Sequence, residues 1–205
     1  MDYTFNFTSL IKRLLFVSCF TLTFLALADD KQDVIIACYS EIGAGDYKSA
    51  FPLCKLAAEQ GDASAQYYMG LMYFYGKGTP KDYKQAVYWY TKAAKQGYAG
   101  AQLNLGTMYS NGKGTPKDYK QAVYWYTKAA KQGHASAQFN LGIMHDFGKG
   151  TLKDSVMAYA WYNVAATQKD EQSAKNRSLI EKEMTPSQIE KAQTLSKELY
   201  SKYVK

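Results

Sequence analysis

The sequence predicts an all-α solenoid of antiparallel helix pairs, and three observations carry that expectation. A 36-residue unit recurs three times without gaps, at 62–97, 98–133 and 134–169. Each unit holds two blocks of apolar residues at helical spacing, separated by a Gly-Lys-Gly turn. A period of this length marks stacked supersecondary units, none of which can bury its apolar face alone. Units one and two agree at 28 of 36 positions and units two and three at 19, so the register holds across the whole block.

The 205 residues are 47% hydrophobic and 21% charged, which is ordinary globular composition with room for one sizeable core. Aromatic residues make up 15%, which argues against disorder. No run of about 20 apolar residues occurs, which excludes a polytopic membrane protein.

The N-terminus reads as a targeting segment. Lys12 and Arg13 precede an apolar run, Leu14 to Ala28, that ends Ala26-Leu27-Ala28. Basic patch, apolar stretch and small residues at −3 and −1 describe a signal peptide over 1–28, cleaved after Ala28. The run is too short for the roughly 20 residues of a membrane span. The expectation is export, to a bacterial periplasm or beyond the cell, with no transmembrane span in the mature chain. Cleavage lowers Lys+Arg from 25 to 23 and Asp+Glu from 18 to 17, leaving a net charge of +6. Cys19 departs, and Cys38 and Cys54 remain. An oxidising compartment permits a disulfide between them; the alternative is two buried thiols.

Residues 29–61 form a divergent N-terminal helix pair, in which 45–61 matches only the second half of a unit. In unit one the first helix is expected from about Ala63 to Tyr75, with Ala65, Met69, Met72 and Tyr73 facing inward. Gly70, Gly106 and Gly142 allow the second helix to approach closely. After the turn Gly76-Lys77-Gly78, Thr79 reads as the cap of the second helix, Pro80 as its first residue and Asp82 as a favourable charge at its positive end. That helix runs to about Lys95, packs through Ala86, Trp89, Tyr90, Ala93 and Ala94, and ends at Gly97 in the left-handed conformation. Residues 170–205 read as two capping helices, Glu171 to Met184 and Thr185 to Tyr203. Leu179, Ile180, Met184, Ile189, Ala192, Leu195 and Leu199 give them an apolar face, and Thr185 with Gln188 a capping box.

The pattern A-x-A-Q-x-x-[ML]-G-x-M-[YH]-x-x-G-K-G-T-x-K-D-x-x-x-A-x-x-W-Y-x-x-A-A resembles the Sel1-like repeat, a relative of the tetratricopeptide repeat. Ala65, Gly70, Tyr73, Gly76, Gly78, Asp82, Ala86, Trp89, Tyr90, Ala93, Ala94 and Gly97 fit it, as do their equivalents in unit two. Unit three departs at His145 and Lys169. The resemblance implies a right-handed solenoid with capping helices at both ends. It further implies an adaptor that binds a protein or peptide in a concave groove lined by the first helices. Exported bacterial members are linked to envelope function or host interaction.

Residues 76–97 and 112–133 are identical, so every difference between units one and two lies in the first helix or its leading edge. Apart from Asp62 and Met69, the changed positions fall within an arc of about 120° opposite the inward stripe. The candidate partner-binding residues on this arc are Tyr67, Tyr68, Leu71, Phe74 and Tyr75, then Leu103, Asn104, Thr107 and Asn111, then Phe139, Asn140, Ile143 and Phe147. Aromatic side chains suit this task because they bring area at low entropic cost. The competing reading is that part of the arc packs against the neighbouring first helix.

Lysines at 77, 81, 84, 92 and 95, repeated at 113, 117, 120, 128 and 131, read as a solvated outer face that could also attract an acidic surface. Arg177 is the one arginine left after processing, which with export disfavours nucleic acid. His134 and His145 replace Tyr98 and Tyr109 in register, and no cluster around them suits a metal. Ser110-Asn111-Gly112-Lys113 fits S-x-x-K, but neither SDN nor KTG accompanies it, and unit one has Phe74 in place of the serine. No catalytic residue, cofactor or metal site is expected. The rival reading is a β-lactam hydrolase of the cysteine-rich Sel1-like type, which ties most repeats with disulfides, whereas this chain offers one pair.

Overall fold

The computed structural model describes residues 31–204; the segment 1–28 expected to be a signal peptide, and its expected cleavage site, lie outside them. The described residues form ten α-helices and no strand. They are α1 Lys31–Ala44, α2 Tyr47–Glu59, α3 Ala63–Tyr75, α4 Tyr83–Lys95, α5 Ala99–Asn111, α6 Tyr119–Ala130, α7 Ala135–Phe147, α8 Ser155–Ala166, α9 Glu171–Glu181 and α10 Pro186–Tyr203. Each odd-numbered helix from α1 to α7 packs antiparallel on the next, and each second helix also packs on the first helix of the following unit. This is the expected solenoid.

The core is a chain of clusters shared between units. One joins Ala86, Tyr90, Ala93 and Ala94 of α4 to Ala101, Leu105 and Met108 of α5 and to Trp125 of α6. The cluster after it repeats these positions in register, and the cluster before it does so with Cys54 in the place of Tyr90 and with Val34 and Cys38 added from α1. Apolar burial therefore spans unit boundaries, as the repeat requires. All five residues expected on the second-helix stripe are buried in α4 and in α6, as are Ala65, Met69 and Met72 of α3; Tyr73 is half-buried.

Close helix approach rests on three glycines. A Cβ on Gly70, Gly106 or Gly142 would overlap the ring of Tyr90, Tyr126 or Tyr162. Tyr90, Tyr126 and Tyr162 thus pack directly against the bare backbone of the first helix of their own unit.

The start of the second helix differs from the sequence expectation. Thr79 and Pro80 are not helical; the helix begins at Tyr83 and Asp82 is its cap, accepting from the Lys84 and Gln85 amides at 2.9 and 3.1 Å. Two forces move the start. Proline biases Thr79 toward extended backbone, and the Asp82 amide is drawn to the Tyr73 carbonyl at 2.9 Å. Asp118 and Asp154 repeat the arrangement.

Glutamines, overlooked in the sequence, tie the opposite edge. Gln66, Gln102 and Gln138 are buried and donate to the Ala58, Ala94 and Ala130 carbonyls at 3.0, 3.1 and 3.2 Å. Each in turn accepts from a glutamine 30 residues on: Gln96, Gln132 and Gln168. Every buried amide is thereby paired, and unit is joined to unit by polar as well as apolar contact.

Lys169 occupies a position held by Gly97 and Gly133 in the earlier units, and it keeps their left-handed backbone, with φ 66°. A side chain there costs about 1–2 kcal/mol. The turn geometry outlasts the glycine that normally permits it.

The tail continues the repeat further than its sequence suggests. α9 stands where a fourth unit's first helix would, packed on α8, with Ser173 and Ile180 buried at the places of Ala137 and Met144. α10 then packs on α8, burying Ala192 and Ser196 and stacking Tyr203 on Trp161. The capping box of Thr185 and Gln188 is present. Leu179 is not on the apolar face; it is 52% exposed, because α9 has no second helix of its own packed against it.

Candidate functional site

The candidate arc runs across the first helices α3, α5 and α7, of which α3 and α5 touch directly. Its residues divide into two groups. Tyr67, Leu71 and Phe74 are half-buried against the cluster of Tyr90, Leu105 and Trp125, Leu103 against the cluster that follows it, and Phe139 and Ile143 against a further cluster that holds Ala158, Tyr162 and Ile180. Tyr67 stacks on Tyr98 at 4.7 Å and so joins one unit to the next, while Phe74 lies 5.3 Å from Tyr83 within its own unit. Tyr75 and Phe147 end α3 and α7 with 58% and 64% of their surface exposed, and Asn111 is exposed at the same place in α5.

The remaining members form a polar and aromatic floor. Tyr68 lies 5.6 Å from both Tyr39 and Tyr67. The Tyr39 hydroxyl donates to Asp62. Asn104 is a hydrogen-bond partner of Tyr67 and Tyr90, and Thr107 accepts from Tyr126 at 3.2 Å. Asn140 is half-buried on α7. Burial pushes the phenols of Tyr39, Tyr67, Tyr90, Tyr126 and Tyr162 up, so they remain neutral hydrogen-bonding groups at ordinary pH.

Tyr39, Tyr98 and Asn176 belong to this surface and were not singled out in the sequence. Asn104, Asn140 and Asn176 lie 36 residues apart, which was the available signal. It was missed because the tail was read as having left the register.

Ser110 lies beside Tyr126, while the Lys113 ammonium stands over the rings of Phe74 and Tyr83 at 5.6 and 5.7 Å. Each member of the S-x-x-K match is thus engaged with an aromatic residue. Among the described residues no group of three or more His, Cys, Asp or Glu is placed to hold a metal, and no helix is long and apolar enough to cross a membrane.

His134 and His145 are both half-buried, and burial lowers their affinity for protons below the ordinary 6.5, with Asp154 partly opposing this at His145. The Nδ1 atom of His145 is buried without a hydrogen-bond partner. The unfolded chain therefore binds protons below about pH 6.5 that the folded chain refuses, so stability is full above that pH and falls as pH drops toward the lower folded values. The melting midpoint of the His134→Tyr/His145→Tyr variant should fall less than the wild-type midpoint between about pH 7 and pH 5. Equal falls would show that the histidines are not responsible.

The folded units and the face they share define an α-solenoid of helix-pair repeats. The Sel1 repeat family matches the chain at 40–62, 63–98, 99–134 and 135–170. The chain belongs to the Sel1 repeat family. Its fold is similar to that of a protective antigen present in uropathogenic Escherichia coli strains and displaying an SLR fold. That match has TM-score 0.71 and 38% identity, over 76% of this chain and 33% of the other. It is also similar to a Sel1 repeat protein from Oxalobacter formigenes, with TM-score 0.66 and 36% identity, over 70% of this chain and 59% of that one. The chain thus spans about a third of the first protein and under two thirds of the second. No curated protein sequence matches it.

Proposed function

We propose that this protein is an exported scaffold that binds a protein or peptide segment across its first-helix face, in envelope function or host interaction. The observation that carries the reading is the exposure of Tyr75 and Phe147 at the ends of α3 and α7. Elsewhere on the arc large side chains are partly spent on packing; these two are free to be covered by a partner. The identical second helices α4 and α6 hold the scaffold constant while the first helices before them vary, which is how a repeat protein changes its partner without changing its fold. A protective antigen is a protein that a host's immune system meets, and this supports the export reading.

The test is capture of partners from the native source by wild-type protein and by Tyr75→Ala/Phe147→Ala. Removing two exposed rings should weaken capture about 10-fold or more and shift stability by no more than about 0.5 kcal/mol. Unchanged capture would show that the arc is not the binding face. The reading assigns no reaction to the chain. Nitrocefin turnover that disappears in Ser110→Ala would overturn that part of it.

A further inference from the structure

Three loop lysines stand in register along one edge of the stack. Lys77, Lys113 and Lys149 each follow the left-handed glycine that ends a first helix. Their ammonium groups sit over the first tyrosine of the preceding second helix, 4.4 Å from the ring centre of Tyr47, 5.7 Å from Tyr83 and 5.9 Å from Tyr119. The loops are pressed there tightly: a Cβ on Gly78, Gly114 or Gly150 would overlap the carbonyls of those same tyrosines. The loop backbones that carry the lysines are therefore held in place.

Their charge is not neutralised within the protein. The carboxylates on this edge, Asp46, Asp82, Asp118 and Asp154, are committed to the amides of the second-helix starts. The one ion pair among the described residues is Lys55 with Glu59, on α2. Beside the lysines lie the exposed rings: Tyr75 is 6.0 Å from the Lys77 ammonium and Phe147 is 5.3 Å from that of Lys149.

We propose that this edge binds an extended acidic peptide segment carrying a carboxylate at every third residue. This names the partner for the face proposed above and rests on that reading. The spacing argument is geometric. Helices in contact lie about 8–10 Å apart, and α3 and α5 touch, so Lys77 and Lys113, which follow them, stand at about that interval. A polyproline II segment rises about 9 Å per turn of three residues, placing every third side chain on one side. Its carboxylates meet successive lysines, and the side chains between them cover the rings of Tyr75 and Phe147. A polyphosphate chain or a lipid headgroup surface would neutralise the lysines but offers nothing of that spacing.

The experiment is fluorescence anisotropy with the full chain and two labelled peptides of identical composition. One has four Glu-Pro-Leu triplets; the other gathers its glutamates at one end. At about 150 mM salt, where surface charges act over about 8 Å, the triplet peptide should bind at least about 5-fold more tightly than its isomer. Lys→Gln at 77, 113 or 149 should weaken triplet binding about 3-fold each and about 20- to 30-fold together. Equal binding of the two peptides overturns the proposal. So does lysine-dependent binding of polyphosphate or of phosphatidylserine vesicles when the triplet peptide does not bind. If the triplet peptide fails while Tyr75→Ala/Phe147→Ala still abolishes native capture, the acidic partner is refuted and the binding face stands.

Discussion

Gly106→Ala should melt about 5 °C below the wild type, the reverse of what alanine ordinarily does inside a helix. Alanine favours helix over glycine by about 1 kcal/mol. Here the added methyl would sit 2.7 Å from Cδ1 and Cε1 of Tyr126 and 3.2 Å from the Ala122 carbonyl. Neither neighbour can give way cheaply. Tyr126 is 3% exposed, with its hydroxyl bonded to Thr107, and Ala122 is buried helix backbone. Overpacking of this kind costs about 1–3 kcal/mol or more. With contacts this short and neighbours this fixed the cost lies at the upper end of that range, and a net loss of about 2 kcal/mol remains after the local gain. Gly43→Ala is the control. A Cβ on Gly43, within α1, meets nothing within 4 Å, so the same exchange should stabilise by about 0.4–1 kcal/mol. Circular-dichroism melts of the two variants check both signs. A Gly106→Ala variant that melts at or above wild type would show that α5 and α6 are not in tight contact.

These glycines also show what the sequence made legible. Gly70, Gly106 and Gly142 stood out because three copies of the same position can be compared within one chain. The second-helix stripe was legible for the same reason, since Ala86, Trp89, Tyr90, Ala93 and Ala94 recur at one helical spacing. The start of that helix was not. Thr79-Pro80 and Asp82 both carry start signals, and only the tie between the Asp82 amide and the Tyr73 carbonyl decides between them. The glutamines were hidden for a different reason. Burial of Gln66 is favourable only because the Ala58 carbonyl and Gln96 meet it, and both partners lie outside the helix whose pattern was being read. On the candidate face, the variable arc located the surface. It did not separate Tyr75, which projects, from Tyr67, which is stacked on a residue of the next unit. Periodicity gives the direction of a side chain and not what its neighbour places opposite it.

Removal of the bond between Cys38 and Cys54 should act on one end of the stack rather than on all of it. The bond joins α1 to α2, its cysteines are 16 residues apart in sequence, and both are fully buried. Closing a loop of that length restricts the unfolded chain by about 3 kcal/mol. In a regular repeat each unit is held by its two neighbours, whereas α1 packs on α2 and on no first helix before it among the described residues. The stabilisation therefore falls where the stack has least other support. In Cys38→Ala/Cys54→Ala, amide exchange in α1 and α2 should speed up by about two orders of magnitude, corresponding to about 3 kcal/mol. The central helices α5 and α6 should exchange at nearly their wild-type rates. Uniform acceleration along the chain would mean that the N-terminal pair and the repeats unfold as a single unit. The bond itself is checked by intact mass of protein recovered from an oxidising compartment, where it should gain two hydrogens on reduction. Equal masses with and without reductant would leave two free thiols between α1 and α2, and the N-terminal pair would then depend on apolar packing alone.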